Sequence, residues 1–185
     1  MMNIALQEKI IMKSTVLKFG IISSVTILVL FFISFLFLEN LSFTVQEIWG
    51  YLSIFIALSF VFFGVKSYRD SLPNKAISFW RALGTGLLIV LFPAIIFGIF
   101  NVIYITYLNP DFTEQYYAAM VADMSTQYSG SELSAKLAEM ESMKELATSG
   151  LFNFFLMTFT VLILGIIVSL ITAVTLRSSG TQSAS

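Results

Sequence analysis

The sequence contains no cysteine and no histidine, and charged side chains make up only 11% of its 185 residues. The two absences exclude disulfides, thiolate metal ligands and imidazole ligands, including an axial histidine to haem. Apolar residues reach 57% and the mean hydropathy is +0.89, which is too high for a domain that covers itself in water with its own polar surface. A lipid bilayer is therefore the predicted solvent.

Four long apolar stretches contain no ionisable side chain, and each is long enough for a membrane-spanning helix of roughly 17–25 residues. They run at about 19–38, 48–65, 82–108 and 151–176. Continuous apolar runs, rather than short alternating segments, favour helices over an outer-membrane barrel. The predicted fold class is all-α: a polytopic membrane protein, with residues 1–185 forming one domain of four transmembrane helices.

Residues 109–150 change sharply in composition and carry seven carboxylates. Apolar residues recur there at intervals of three and four, which predicts two short amphipathic helices separated at Gly130, with Ser131 capping the second. Two uses of this segment stay open: its apolar faces can rest on the bilayer surface or on each other, or they can bind a partner. The polar run 177–185 is predicted to be a disordered tail.

The basic residues are distributed unevenly between the two sides of the predicted bundle. Eight of the ten Lys and Arg, against two carboxylates, fall in the N-terminal segment, the loop 66–81 and the start of the tail. The opposite side has two Lys against nine carboxylates. The positive-inside rule then places both termini and the loop 66–81 in the cytoplasm, and residues 109–150 outside it. Alternatively, the positive charge of the loop binds anionic lipid headgroups or a cytoplasmic partner.

Small residues indicate where the spanning helices can approach closely, because lipid tails provide no hydrophobic drive for helices to associate. The candidate packing residues are Ala82, Gly86, Ala94 and Gly98 on the third span and Gly165, Ser169 and Ala173 on the fourth. Packing within the chain and a homodimer seam both fit this pattern. Asn101 and Asn153 are the candidate interhelical polar contacts, and a role in contacting a substrate is the alternative for each.

Chemistry-bearing patterns are missing. No ionisable residue lies inside the spans, where proton-coupled or ion-coupled carriers generally hold one. No base is placed to activate a Ser or Thr as a nucleophile, and the carboxylates of 109–150 lack the Asp/Asn/Gly spacing of a calcium loop. No phosphate-binding glycine loop or basic aromatic surface for nucleic acid is present. We therefore expect no enzyme activity, no catalytic residue, no cofactor, no metal and no nucleic-acid partner.

Three short motifs, GVKSYRD, ISFWRALGTGL and NPDF, stand in this order between the second and fourth spans. With this arrangement of spans, the chain resembles the bacterial integral membrane proteins of domain-of-unknown-function family 4199, seen mostly in the Bacteroidetes. The residues that carry the resemblance are Gly64, Tyr68, Arg69, Asp70, Ser78, Phe79, Ala82, Gly86, Pro110, Asp111 and Phe112. The resemblance implies four spans and a location in the inner membrane, and it implies no activity.

Two functions from different classes follow from the sequence. The first is a non-enzymatic inner-membrane scaffold or accessory subunit, which engages a protein partner or a second copy through its membrane helices or through residues 109–150. The second is a carrier or channel component, dimeric in one version, that works without charges inside the membrane. In both cases the bilayer is the constant partner.

Overall fold

The computed structural model describes residues 4–38 and 41–178 of the chain. Over these ranges the chain forms α-helices and no strand, which confirms the all-α fold class. The helices are α1 (Ile4–Phe37), α2 (Phe43–Asp70), α3 (Phe79–Ile103), α4 (Phe112–Gln127), α5 (Gly130–Thr148) and α6 (Gly150–Leu176). A π-helical turn, Tyr104–Leu108, continues α3.

Four helices are long and apolar enough to cross a membrane: α1, α2, α6 and α3 together with its π-helical turn. Their outer faces are apolar and uncovered, as shown on α6 by Phe159, Ile163 and Ile171, whose side chains are more than half exposed. Continuous apolar surface on this scale requires a lipid environment. The chain is therefore a membrane protein with four candidate spans, as the sequence predicts.

The helices extend beyond the predicted spans. α1 begins at Ile4 rather than near residue 19, because Lys, Glu and Gln are good helix formers and do not end a helix. The predicted loop 66–81 is helical at both ends, and only residues 71–78 connect α2 to α3. Pro73, which cannot continue the hydrogen-bonded helix, and Lys75, at a left-handed φ of 48°, lie in this short connection.

The segment 109–150 forms α4 and α5, as the sequence predicts, but the capping residue of α5 is different. Ser129, not Ser131, occupies the N-cap position, and no side-chain cap hydrogen bond forms there. Gly130 takes a φ of 63°, so the chain reverses at this glycine and the helix begins immediately. Leu133, Leu137 and Met140 are half-buried along one side of α5.

Part of the predicted disordered tail, residues 179–185, lies outside the described residues, as does Glu39. The chain immediately after α6 is held in place: the backbone N–H of Ser178 donates to the carbonyl oxygen of Ile77 at 3.1 Å. The C-terminus of α6 thus contacts the connection between α2 and α3.

In the bundle, α1 and α6 each pack against both α2 and α3, and the most extensive contact is between α3 and α6. The core between the helices is formed by fully or almost fully buried apolar side chains, including Ile54, Leu58, Val61, Ile89, Val90, Phe97 and Val161. We call the end that holds the start of α1, residues 71–78 and the end of α6 the basic end. The end that holds the π-helical turn, α4 and α5 is the acidic end.

Candidate functional site

The small residues predicted to form a packing seam lie between α3 and α6. All of Ala82, Gly86, Ala94 and Gly98 on α3 and Gly165, Ser169 and Ala173 on α6 are buried. A Cβ atom added at Gly86 would lie 2.9 Å from Ser169 Oγ, and one added at Gly165 would meet the side chain of Val90. Helices of the same chain cover these residues, so they are not available to a second copy.

The two predicted polar residues behave differently. Asn153 is buried near the start of α6, and its Nδ2 donates to the carbonyl oxygen of Ser149 one turn earlier at 3.1 Å. Asn101 Oδ1 is buried and has no hydrogen-bond partner among the described residues. Three hydroxyl oxygens are also buried without a hydrogen-bond partner within the described part of the chain: Ser53 Oγ, Thr158 Oγ1 and Ser169 Oγ. Polar atoms therefore lie inside the bundle without forming a connected network.

Two interhelical hydrogen bonds join α1 to α2, and sequence reasoning missed both. Ser23 Oγ donates to the carbonyl oxygen of Ala57 at 2.7 Å, and Trp49 Nε1 donates to that of Leu30 at 3.2 Å. Ser23 is fully buried, so its hydroxyl needs a partner inside the bundle. A lone Ser or Trp within an apolar run gives no indication of which backbone carbonyl it will reach.

At the basic end, the motif residues mainly serve packing and charge pairing. Gly64 lies against Ile89 and Phe19, and Tyr68 is 2% exposed despite its position near the end of α2. Arg69 Nη2 lies 2.7 Å from Asp70 Oδ1, so these two adjacent charges neutralise each other locally. These four residues of the GVKSYRD motif therefore all lie in α2 and are part of the folded bundle.

A second ion pair at the basic end joins distant parts of the chain. Arg81 Nη2 donates to Glu8 Oε2 at 2.8 Å, which connects the first turns of α1 with the first turn of α3. Both side chains are partly exposed, so the pair contributes roughly 0–1 kcal/mol to stability. Its main effect is to fix where the polar N-terminal part of α1 lies.

The acidic end is organised by aromatic rings. Tyr104, in the π-helical turn, lies with its ring centroid 5.3 Å from that of Phe112, and Phe43 at the start of α2 lies 5.7 Å from Tyr116. Phe112 and Tyr116 stack at 6.0 Å. We call Phe43, Tyr104, Phe112 and Tyr116 the aromatic cluster. It fixes the first turn of α4 to the ends of two spanning helices.

The environment of Tyr116 shows that the start of α4 lies close to α2. Partial burial against the aromatic cluster raises the pKa of Tyr116 above the ordinary value for tyrosine, and the negative charge of nearby Glu47 acts in the same direction. The raised pKa thus reflects the position of the Tyr116 ring against the start of α2, close to Glu47.

The two helices of the acidic end are joined through Tyr117. Its hydroxyl donates to Glu141 Oε2 at 2.6 Å, and this hydrogen bond is the largest cause of a raised pKa for Tyr117. Lys144 Nζ lies 4.8 Å from the centroid of the Tyr117 ring, and Lys136 Nζ lies 4.6 Å from that of Tyr128. The only two basic side chains of residues 109–150 thus contact neighbouring rings, and the outward charge of α4 and α5 is acidic.

No residue of α4, and none of the described side chains of α5, is buried. The carboxylates of this region do not gather in groups of three or more that could hold a metal ion, as far as the described residues extend. α4 and α5 together form an exposed, mostly acidic surface, which the aromatic cluster attaches to the bundle. This surface, which we call the acidic cap, is the candidate functional site.

Comparison with protein families gives one result. Neither a curated protein nor a solved structure matches the chain. The model of a family described as "Protein of unknown function (DUF4199)" matches residues 18–178, which covers all four candidate spans from the start of the apolar part of α1 onward. The chain therefore belongs to this family of proteins of unknown function.

Proposed function

We propose that this chain is a non-enzymatic scaffold or accessory subunit of a complex in the bacterial inner membrane, with both termini in the cytoplasm. One observation carries the proposal. The side chains between the spanning helices contribute to packing, whereas none of the described side chains of the acidic cap is buried and both of its helices are partly open to solvent along their length. A large surface held on an aromatic base, which no other described part of the chain covers, suits recognition of a partner.

The charge of the cap suggests what kind of partner fits it. Exposed carboxylates lie along α4 and α5 and at the N-cap of α4. They include Asp111, Glu114, Asp123, Glu132 and Glu139. Lys136 and Lys144 are directed onto tyrosine rings. A partner domain with a basic surface on the outer side of the membrane is complementary to this arrangement.

The orientation is supported by the charge distribution. Lys and Arg are concentrated at the basic end, and the positive-inside rule assigns that end to the cytoplasm. An even number of spans then leaves the N-terminus and the C-terminus on the same side. The acidic cap faces outward, where positive charge is rare in membrane proteins.

A photo-crosslinking amino acid in the cap tests this function in the native membrane. Leu146 on α5 is 52% exposed and is the position for the probe, while Ile171, 62% exposed on the lipid-facing side of α6, is the matched control. We expect one stoichiometric protein to crosslink from position 146 and not from position 171. We also expect Glu132→Lys with Glu139→Lys to abolish that crosslink. Equal labelling from both positions, or none from position 146, would contradict the proposal.

A carrier or channel component is the second candidate, and one observation favours it. Four residues in the spanning helices have a buried polar side-chain atom that forms no hydrogen bond with any described residue: Ser53, Asn101, Thr158 and Ser169. Such atoms can line a path for a neutral solute. The test is solute flux in proteoliposomes that contain this chain alone. Flux that Asn101→Leu reduces would support the carrier function and contradict the scaffold function.

A further inference from the structure

Two adjoining shallow hollows lie between α1 and α2 at the basic end and are open to the surroundings. Their volumes are about 490 and 380 Å³, and both are lined by Phe19 and Ser67. The larger is completed by Phe60, Phe63, Lys66 and Asp70. The smaller includes Ile10, Ser14, Thr15 and Lys18. Together they form one groove, which we call the α1–α2 groove, with an apolar part and a part lined by hydroxyls and lysines.

The two lysines of the groove are available to a ligand. Lys18 and Lys66 are exposed, and neither forms an ion pair with any described residue. Lys18 Nζ lies 5.6 Å from the centroid of the Phe19 ring, at the edge of the groove, and keeps its full charge there. The one carboxylate in the lining, Asp70, is occupied by Arg69, whose Nη2 and Nε lie 2.7 and 2.9 Å from the same Oδ1 atom. The groove therefore carries net positive charge that its own side chains do not neutralise.

The depth of these lysines matches the phosphate layer of a bilayer. Lys18 is the last ionisable residue of α1 before its apolar stretch, and Lys66 is the first after the apolar stretch of α2. Phe63 and Phe60 lie on the membrane side of Lys66, about one and two turns earlier in α2. A ligand in the groove can thus place an anion near the lysines and a hydrocarbon chain against the phenylalanines.

We propose that the α1–α2 groove binds one anionic glycerophospholipid of the surrounding leaflet. Its phosphate lies between Lys18 and Lys66, where Ser14 and Ser67 supply hydroxyl groups, and one acyl chain runs along Phe60 and Phe63. Basic pockets between spanning helices are suited to acidic headgroups, and the hydroxyls distinguish this groove from a diffuse basic surface. The site is at the opposite end from the acidic cap, so it stands whether or not the cap binds a protein.

Native mass spectrometry of the full chain tests the site. The protein is reconstituted in nanodiscs with equal amounts of phosphatidylglycerol and phosphatidylcholine, and the lipid retained after detergent extraction is counted. We expect the wild type to retain one phosphatidylglycerol in preference to phosphatidylcholine. In Lys18→Gln with Lys66→Gln this preference falls about tenfold.

Two further variants separate the groove from general electrostatics. The double variant Lys13→Gln with Lys75→Gln also removes two positive charges from the basic end, but from residues outside the groove lining. We expect it to keep the preference for phosphatidylglycerol. Ser67→Phe fills the point where the hollows meet, keeps every charge, and loses the preference. Circular dichroism and gel filtration establish that each variant is folded before its lipid is counted.

Three outcomes would overturn the proposal. The first is an equal loss in the Lys13 and Lys75 control, which would assign the preference to the whole basic end. The second is full retention in folded Ser67→Phe, which would place the lipid elsewhere. The third is displacement of the lipid by glycerol 3-phosphate, which would make the anion alone the ligand.

Discussion

At the scale of single residues, glycine decides how closely α3 and α6 can approach. A Cβ atom at Gly165 would lie 2.8 Å from Val90 Cγ2, whereas one at Gly84, also in a spanning helix, would meet nothing within 4 Å. Buried positions without room for a methyl group tolerate no added volume unless a neighbour shifts. These two glycines therefore form a matched pair of test sites.

Gly165→Ala should lower the free energy of unfolding by about 1–3 kcal/mol, because the new methyl group overpacks the contact with Val90. Gly84→Ala should cost nothing, because its Cβ enters open space and alanine favours the helix. Equilibrium unfolding in mixed micelles, followed by circular dichroism, measures both changes. In Gly165→Ala with Val90→Ala the loss should be smaller than the sum of the single losses. Equal losses at Gly165 and Gly84 would show that the seam is not tightly packed.

The hydrogen bond between Tyr117 and Glu141 makes the pairing of α4 with α5 depend on pH. Because the bond raises the pKa of the phenol above its ordinary value of about 10, the folded state holds the proton more tightly than the unfolded state. The resulting stabilisation is complete below the ordinary value and is lost as the pH rises through the raised pKa. Alkaline conditions should therefore loosen the acidic cap first.

Glu141→Ala should bring the pKa of Tyr117 down toward the ordinary value, since it removes the acceptor and its charge. The tyrosinate absorbance during an alkaline titration measures this pKa, and the difference from Tyr117→Phe isolates the one phenol among seven tyrosines. Glu139→Ala, an exposed carboxylate on the same helix, is the control and should leave the titration unchanged. A Tyr117 titration that does not move in Glu141→Ala would mean that the bond does not form in solution.

At the scale of elements, α4 depends on aromatic contacts at one end. The helix has no buried residue, and its first turn is attached through Phe112, whose ring lies 5.3 Å from Tyr104 and 6.2 Å from Phe43. Ring pairs of this kind contribute about 0.5–1.5 kcal/mol each. These two pairs, together with that of Phe43 and Tyr116, connect the start of α4 to the bundle.

Phe112→Ala should speed amide hydrogen exchange in α4 about tenfold, because two ring contacts are lost together. Exchange in α3 and α6 should stay slow, since their packing does not involve Phe112. Tyr107→Ala is the control: this ring is at the same end but 77% exposed, and its loss should change little. Uniformly faster exchange in all helices after Phe112→Ala would show that the cap and the bundle unfold as one unit.

The elements themselves were predictable, whereas their mutual contacts were not. Long runs without charge indicate spanning helices whatever their neighbours are, and the small residues indicate surfaces that permit close approach. The pair of Glu8 with Arg81 joins residues 73 positions apart, and the aromatic cluster depends on how α4 folds back over α2. Local periodicity contains no information on such a fold-back. The apolar stretch locates the spanning part of α1 but not where the helix begins, because the polar residues before it are also good helix formers.

At the scale of the whole molecule, the two ends differ in what they do. The basic end is closed by contacts between distant segments, Glu8 with Arg81 and Ser178 with Ile77. The acidic end leaves α4 and α5 outside the bundle, on the aromatic cluster. The protein partner proposed for the acidic cap requires these ends to be on opposite sides of the membrane, with the cap outside.

Single cysteines measure this sidedness directly, because the chain has none of its own. Ser71, in the connection at the basic end, and Ser129, between α4 and α5, are both exposed and serve as the two sites. A membrane-impermeant maleimide added to intact spheroplasts should label Ser129→Cys and not Ser71→Cys, since the positive-inside rule retains the basic end in the cytoplasm. Permeabilised membranes are the control, in which both cysteines should react. Labelling of Ser71→Cys alone in intact spheroplasts would invert the orientation and leave the acidic cap in the cytoplasm, without an outer partner to bind. Labelling of both would contradict the passage of α3, the span between the two sites, across the bilayer.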